Sequence, residues 1–141
     1  MAKIDPIWSD RMLSVLRIIA ALLFLQHGLA KYFGFPHVAA FDNLKVLSLV
    51  GLAGAIEIIG SLLLLLGLFT RPAAFIVSGE MAFAYFMSHA PRSFFPILNG
   101  GELAVLYCFV FLFIAIAGGG AWSLDRYIRK TPATFAQRGA A

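Results

Sequence analysis

Three ionisable side chains stand inside otherwise apolar stretches of this chain: Arg17, Glu57 and Glu80. An ionisable group in such a setting costs a few kcal/mol or more to bury, so each is a functional candidate by default. A guanidinium can match one carboxylate, and the expectation is an ion pair of Arg17 with Glu57 or Glu80 that fixes helix register. One carboxyl is then left over. Inside a low-dielectric bundle such a group can relay protons or hydrogen-bond a quinone or other oxygen-bearing ligand. Helical phase turns both glutamates inward. Gly51, Gly54, Glu57, Gly60 and Ser61 recur at three- and four-residue spacings, as do Ala73, Val77, Glu80, Ala84 and Met87. The first stripe is made of small residues, which let a neighbouring helix come close, either within the bundle or in a second copy.

A second group of polar residues lies toward the other end of the apolar stretches. His27 and Lys31 are one helical turn apart and share a face, whereas Gln26 points away. His89 closes the third apolar stretch and Glu102 opens the fourth. Asn99 and Glu102 have capping-box spacing, in which Asn99 accepts from the N–H three residues on and Glu102 reaches back. Tyr107 is a hydroxyl partner inside the bundle or an aromatic filler. Together His27, Lys31, His89, Asn99, Glu102 and Tyr107 are expected to form a polar mouth. Two histidines and a glutamate resemble a metal or haem ligand set, but the Lys31 ammonium would repel a cation, and no metal is expected.

These residues must be positioned by helices in lipid. Of 141 residues, 61% are hydrophobic and 13% charged, against about half apolar and about a quarter charged in soluble domains. A chain this short cannot hide so much apolar surface from water. Four apolar stretches run from about Met12 to Lys31, Leu44 to Phe69, Ala73 to His89 and Gly101 to Ala117, each near the ~20 residues that cross a bilayer. Without water to satisfy the backbone, helices are the spanning form. The expected fold is an all-α membrane protein, a four-transmembrane-helix bundle in residues 1–130, followed by a flexible basic tail at 131–141. Residues 123–130 read as a short surface helix with basic residues toward headgroups. Lys3, Arg11, Arg71, Arg126, Arg129, Lys130 and Arg138 fall on one side; Lys31, Lys45 and Arg92 fall on the other. The positive-inside rule puts both termini in the cytoplasm.

Several activities are excluded. Cys108 is the single cysteine and forms no disulfide or CxxC pair. There is no Walker loop, dinucleotide fingerprint, nucleophile elbow or HExxH. The net charge of +4 suits an anionic membrane surface, and no basic-aromatic groove speaks for nucleic acid. Asp5, Asp10 and Arg17 interrupt the N-terminus, so a cleavable signal is not expected.

The fragments HGLAKYFG (27–34), LLLLLGLFTRPAA (62–74), AYFMSHAP (84–91), FFPILNGGE (94–102) and WSLD (122–125), together with Arg17, Glu57 and Tyr107, run in an order that resembles the DoxX family. The match extends from Arg11 to Asp125. The resemblance implies a four-helix bacterial inner-membrane protein, with relatives linked to a thiosulfate:quinone oxidoreductase subunit or to oxidative and thiol stress. It implies a quinone-linked accessory role, with a quinone as the one candidate cofactor and none held intrinsically. The partners it implies are the lipid bilayer and either a redox protein or further copies of the chain. A small apolar molecule to be bound or transported, or a purely structural role in a complex, are the alternatives.

Overall fold

The computed structural model describes residues 5–130; the basic tail expected at 131–141 lies outside them. Helix α1 spans Pro6–Phe33, α2 Leu49–Leu66, α3 Thr70–Ala84, α4 Pro96–Asn99, α5 Glu102–Ala117 and α6 Leu124–Lys130. The described residues contain no strand. Two helices, α1 and α2, are long and apolar enough to cross a membrane by length and composition, and α5 is a shorter apolar helix. The surface matches that reading. Large apolar side chains such as Ile59, Phe75, Phe109 and Ile116 project outward and are each at least 60% exposed, which suits hydrocarbon rather than water.

Local chemistry sets the helix ends. Asp5 accepts from the Ile7 N–H at 2.9 Å, and Pro6 occupies the first helical position of α1. Ser48 caps α2 through the Gly51 N–H at 3.1 Å. The second helix therefore begins at Leu49, later than the apolar run at Leu44, because the chain turns at Lys45–Ser48 first. It ends at Gly67, whose φ of 66° is the left-handed cap that a β-carbon would strain. The third helix starts earlier than Pro72 suggests. Asp125 accepts from the N–H groups of Phe69 and Thr70, both at 2.8 Å, and so caps α3 from the start of α6. Pro72 then sits in the first turn, where its missing N–H costs nothing. After Ala84 the chain widens into one π turn, Tyr85–His89, so the third apolar stretch still reaches His89.

Helix α1 packs on α2, α3 on α5, and α2 on α3. Gly28 of α1 meets Gly54 and Ile58 of α2 so closely that a β-carbon on Gly28 would lie 2.6 Å from Ile58. The small-residue stripe of α2 is thus used inside the bundle, as Gly60 is against Val77 of α3. Phe24, Leu64, Val77, Phe111 and Ile114 fill the core between the helices.

At one end of the bundle Arg17 is fully buried. Its guanidinium donates to the carbonyls of Leu64 and Leu65 (the latter at 2.9 Å), of Gly119 at 2.9 Å and of Trp122 at 2.7 Å. Leu64 and Leu65 belong to the last turn of α2, where carbonyls run short of intrahelical donors, the Leu64 carbonyl accepting besides only from the capping Gly67 N–H at 3.1 Å, and where the negative end of the helix dipole lies. This corrects the expected ion pair: Arg17 touches neither Glu57 nor Glu80. The reason is register. Gly28 is level with Glu57 on the antiparallel neighbour, and Arg17 lies eleven residues further along α1, roughly 16 Å away.

Two predictions follow from this end of the bundle. Arg17→Gln should cost about 3 kcal/mol, since several carbonyls lose a charged donor at once; a melt in detergent that matches wild type would contradict the role. The Asp125 carboxyl is held below its ordinary value of 3.8: burial pushes it upward, but the Thr70 and Phe69 N–H groups and Arg129 outweigh this. A depressed folded value means its stabilisation is present at neutral pH and is lost as pH falls through that value. The melting difference between wild type and Asp125→Asn should therefore be present at pH 7 and shrink below about pH 4. A difference independent of pH would rule out the carboxylate cap.

Candidate functional site

The opposite end carries the polar residues. Lys31, in the last turn of α1, places Nζ 2.5 Å from Oε1 of Glu57. Both side chains are shielded, at 10% and 2% exposure. The Lys31 ammonium also lies 5.7 Å from the centroid of the Phe41 ring, which comes from the short 3-10 turn Ala39–Phe41 between α1 and α2. Lys31 thus does for Glu57 what Arg17 was expected to do. The signal was present in the sequence: Lys31 is three residues from Gly28, and Gly28 must sit against the Gly54 region if the two helices are to approach.

Glu80 is treated differently. Both of its carboxyl oxygens are buried and have no hydrogen-bond partner among the described residues, and Oε2 of Glu57 is likewise unpartnered. These oxygens border a cavity of about 570 Å³, within the ~300–1,000 Å³ typical of small-molecule sites. Every long helix contributes polar groups or walls to it: His27 and Lys31 from α1, Glu57 from α2, Glu80 from α3 and Tyr107 from α5. The His27 ring rests edge-on to Tyr107, with centroids 6.2 Å apart, and Tyr107 stacks on Phe111. Apolar walls come from Phe24, Met81, Ala84 and Leu103. The buried carboxyls and the polar mouth, read from sequence as two groups, are therefore one cavity.

Two residues of the expected mouth do not line it. Glu102 is exposed at the start of α5 and makes no capping box. Asn99 is buried and accepts through Oδ1 from the Gly101 N–H at 2.7 Å, two residues on rather than three. Gly100, with φ 68°, turns the chain between them and removes the spacing that the box needs. Asn99 instead acts as a strut. Its Nδ2 donates to the Ser93 carbonyl at 2.9 Å and to the Tyr85 hydroxyl at 3.3 Å. Its carbonyl pairs with Nδ1 of His89 at 3.0 Å, and the π turn Tyr85–His89 is what brings His89 to the cavity wall. Among the described residues, no group of three or more histidine, cysteine or acidic side chains gathers for a metal ion.

If the Lys31–Glu57 pair holds α1 on α2, Lys31→Met should destabilise the protein by about 3 kcal/mol by stranding a carboxylate in an apolar bundle. Adding Glu57→Gln should recover most of the loss. Thermal melts of the two variants in one detergent check this, and a stable Lys31→Met protein would show that the pair does not matter.

A sequence profile of the DoxX family matches residues 12–90, which carry Arg17, His27, Lys31, Glu57, Glu80 and His89. An uncharacterized protein of Haemophilus influenzae (strain ATCC 51907 / DSM 11121 / KW20 / Rd) is 51% identical over 122 residues, covering 84% of this chain and 91% of the relative. A second uncharacterized protein of the same strain is 29% identical over 142 residues, covering 91% of this chain and 90% of that protein. No solved structure matches. With more than half its length inside the family profile, the chain belongs to the DoxX family of membrane proteins.

Proposed function

We propose that the chain is a four-span protein of the bacterial inner membrane, with both termini in the cytoplasm, that serves a quinone-linked redox system as its ligand-holding accessory subunit. The observation that carries the proposal is Glu80: two buried carboxyl oxygens, without a hydrogen-bond partner among the described residues, at the wall of a mostly apolar cavity. Leaving a carboxyl without a partner costs free energy, and a ligand that supplies the missing hydrogen bonds recovers it.

The donor set suits a ring compound with oxygens at its edge. The Tyr107 hydroxyl and a His27 ring N–H are donors for a carbonyl oxygen. Glu80 is an acceptor for a hydroxyl in the reduced form. Phe24, Met81 and Leu103 offer the apolar faces that a ring needs. When bound, a quinone supplies two-electron, two-proton chemistry; the protein binds and orients it and keeps water away. The Lys31–Glu57 pair gives the cavity a fixed dipole without reorganisation. Span number and orientation rest on α3 with its π turn and α5 joining the two longer helices as crossings. They rest also on the gathering of Arg71, Arg126 and Arg129 at the Arg17 end.

The test is a titration of the detergent-purified protein with a short-chain ubiquinol analogue, beside solvent extraction of protein purified from its own membrane. A stoichiometric quinone in the extract, and about tenfold weaker quinol binding by Glu80→Gln, are the expected results. Equal binding by wild type and Glu80→Gln would remove Glu80 from the site. An extract that holds a different apolar molecule would turn the proposal toward small-molecule binding or transport.

A further inference from the structure

At the Arg17 end, away from the central cavity, two hollows meet. One, of about 220 Å³, is walled by Arg71, Arg126, Arg129, Asp10, Asp125 and the Gly118–Gly120 segment. The other, of about 360 Å³, runs along Leu66, Trp122, Leu124 and Tyr127. Ser123 and Arg126 belong to both. We infer that together they form a discrete site for an anionic phospholipid, with the phosphate held in the basic hollow and an acyl chain laid along the neighbouring groove.

The charge arrangement in the first hollow supports an anion. Three arginines face two carboxylates, which leaves one positive charge in excess, and each carboxylate is already held: Asp10 by an arginine of the hollow, Asp125 by backbone N–H groups with Arg129 nearby. Arg126 pairs with Asp10. The two oxygens of Asp125 accept from the backbone of Phe69 and Thr70. Among the described residues, Arg71 and Arg129 have no carboxylate within ion-pair distance, and both are exposed. The Arg71 guanidinium lies over Gly118: a β-carbon there would be 3.6 Å from Nε, and the φ of 96° favours glycine in any case. Behind this wall stands a further cation, Arg17, which donates to the Gly119 carbonyl. The hollow is therefore cationic on two sides, with guanidinium geometry suited to phosphate oxygens.

The second hollow decides the source of the phosphate. A free phosphorylated solute would have no use for a groove lined by Leu66 and Leu124, whereas an amphiphile occupies both parts at once. Trp122 stands beside it at 56% exposure, as an aromatic ring does at the water boundary of a bilayer. The inference is independent of what the central cavity binds.

Native mass spectrometry on the full chain, released from nanodiscs of equal parts phosphatidylglycerol and phosphatidylcholine, tests the site. Wild type should retain phosphatidylglycerol in preference. Arg71→Gln and Arg129→Gln should each lower that retention about fivefold, and the double variant about 25-fold. The double lysine variant, which keeps charge, should retain most of it and shows that the fold survives replacement. Equal retention by wild type and the double glutamine variant would overturn the site, as would displacement of the lipid by inorganic phosphate, which would assign the hollow to a free anion. Equal retention of the two lipids by wild type would reduce the groove to general lipid contact and also overturn it.

Discussion

The structure depends on how a bundle surrounded by lipid accommodates charge. A buried ion in such a medium must be met by another charge, by aligned dipoles or by a ligand, and this chain uses different answers at different depths. Arg17 is met by the carbonyls that end α2 and line the 119–122 turn. Glu57 is met by Lys31. Glu80 has no hydrogen-bond partner among the described residues. The first two answers hold helices together: Arg17 joins α1 to the end of α2 and to the turn after α5, while Lys31 joins the other end of α1 to the middle of α2. The third leaves a cavity with an unsatisfied wall.

The two ends are therefore different in kind. At the Arg17 end the α2–α3 turn, the glycine segment and α6 are tied by hydrogen bonds that Arg17 donates and that Ser14 and Asp125 accept from backbone N–H groups. This end is a clamp. At the Lys31 end the helices separate around the cavity, and the wall is completed by a π turn and by Phe41 from a connecting loop. A π turn inserts one extra residue per turn and is common where a side chain must be aimed at a site. Here it brings His89 to the cavity and to Asn99 together.

Much of this was legible in the sequence, and the failures have physical reasons. The apolar stretches gave the long helices within a few residues, because hydropathy and capping residues such as Asp5, Ser48 and Gly67 act locally. The inward phase of Glu57 and Glu80 followed from helical spacing alone. Pairing did not. Whether Glu57 meets Arg17 or Lys31 depends on the antiparallel register of α1 and α2, which is set by where Gly28 can approach Gly54, a contact between residues far apart in the chain. The capping box at Asn99 failed for a different reason. Glycines at 100 and 101 allow a turn that the spacing rule does not anticipate. Asp125, at the centre of the α3 cap, carried no local sign of its partner, since it acts on backbone groups more than fifty residues away.

A ligand in the cavity would supply the hydrogen bonds that Glu80 lacks among the described residues. Photolabelling of the protein in its native membrane with an azido-quinone, followed by peptide mapping, tests for such a ligand. Label should concentrate on residues 80–89 and 103–107, the strip that carries Glu80, His89 and Tyr107, and be suppressed by excess unlabelled quinone. Label spread over outward residues such as Phe75, Phe109 and Phe113, and insensitive to competitor, would contradict a ligand there and leave the quinone as a component of the surrounding lipid.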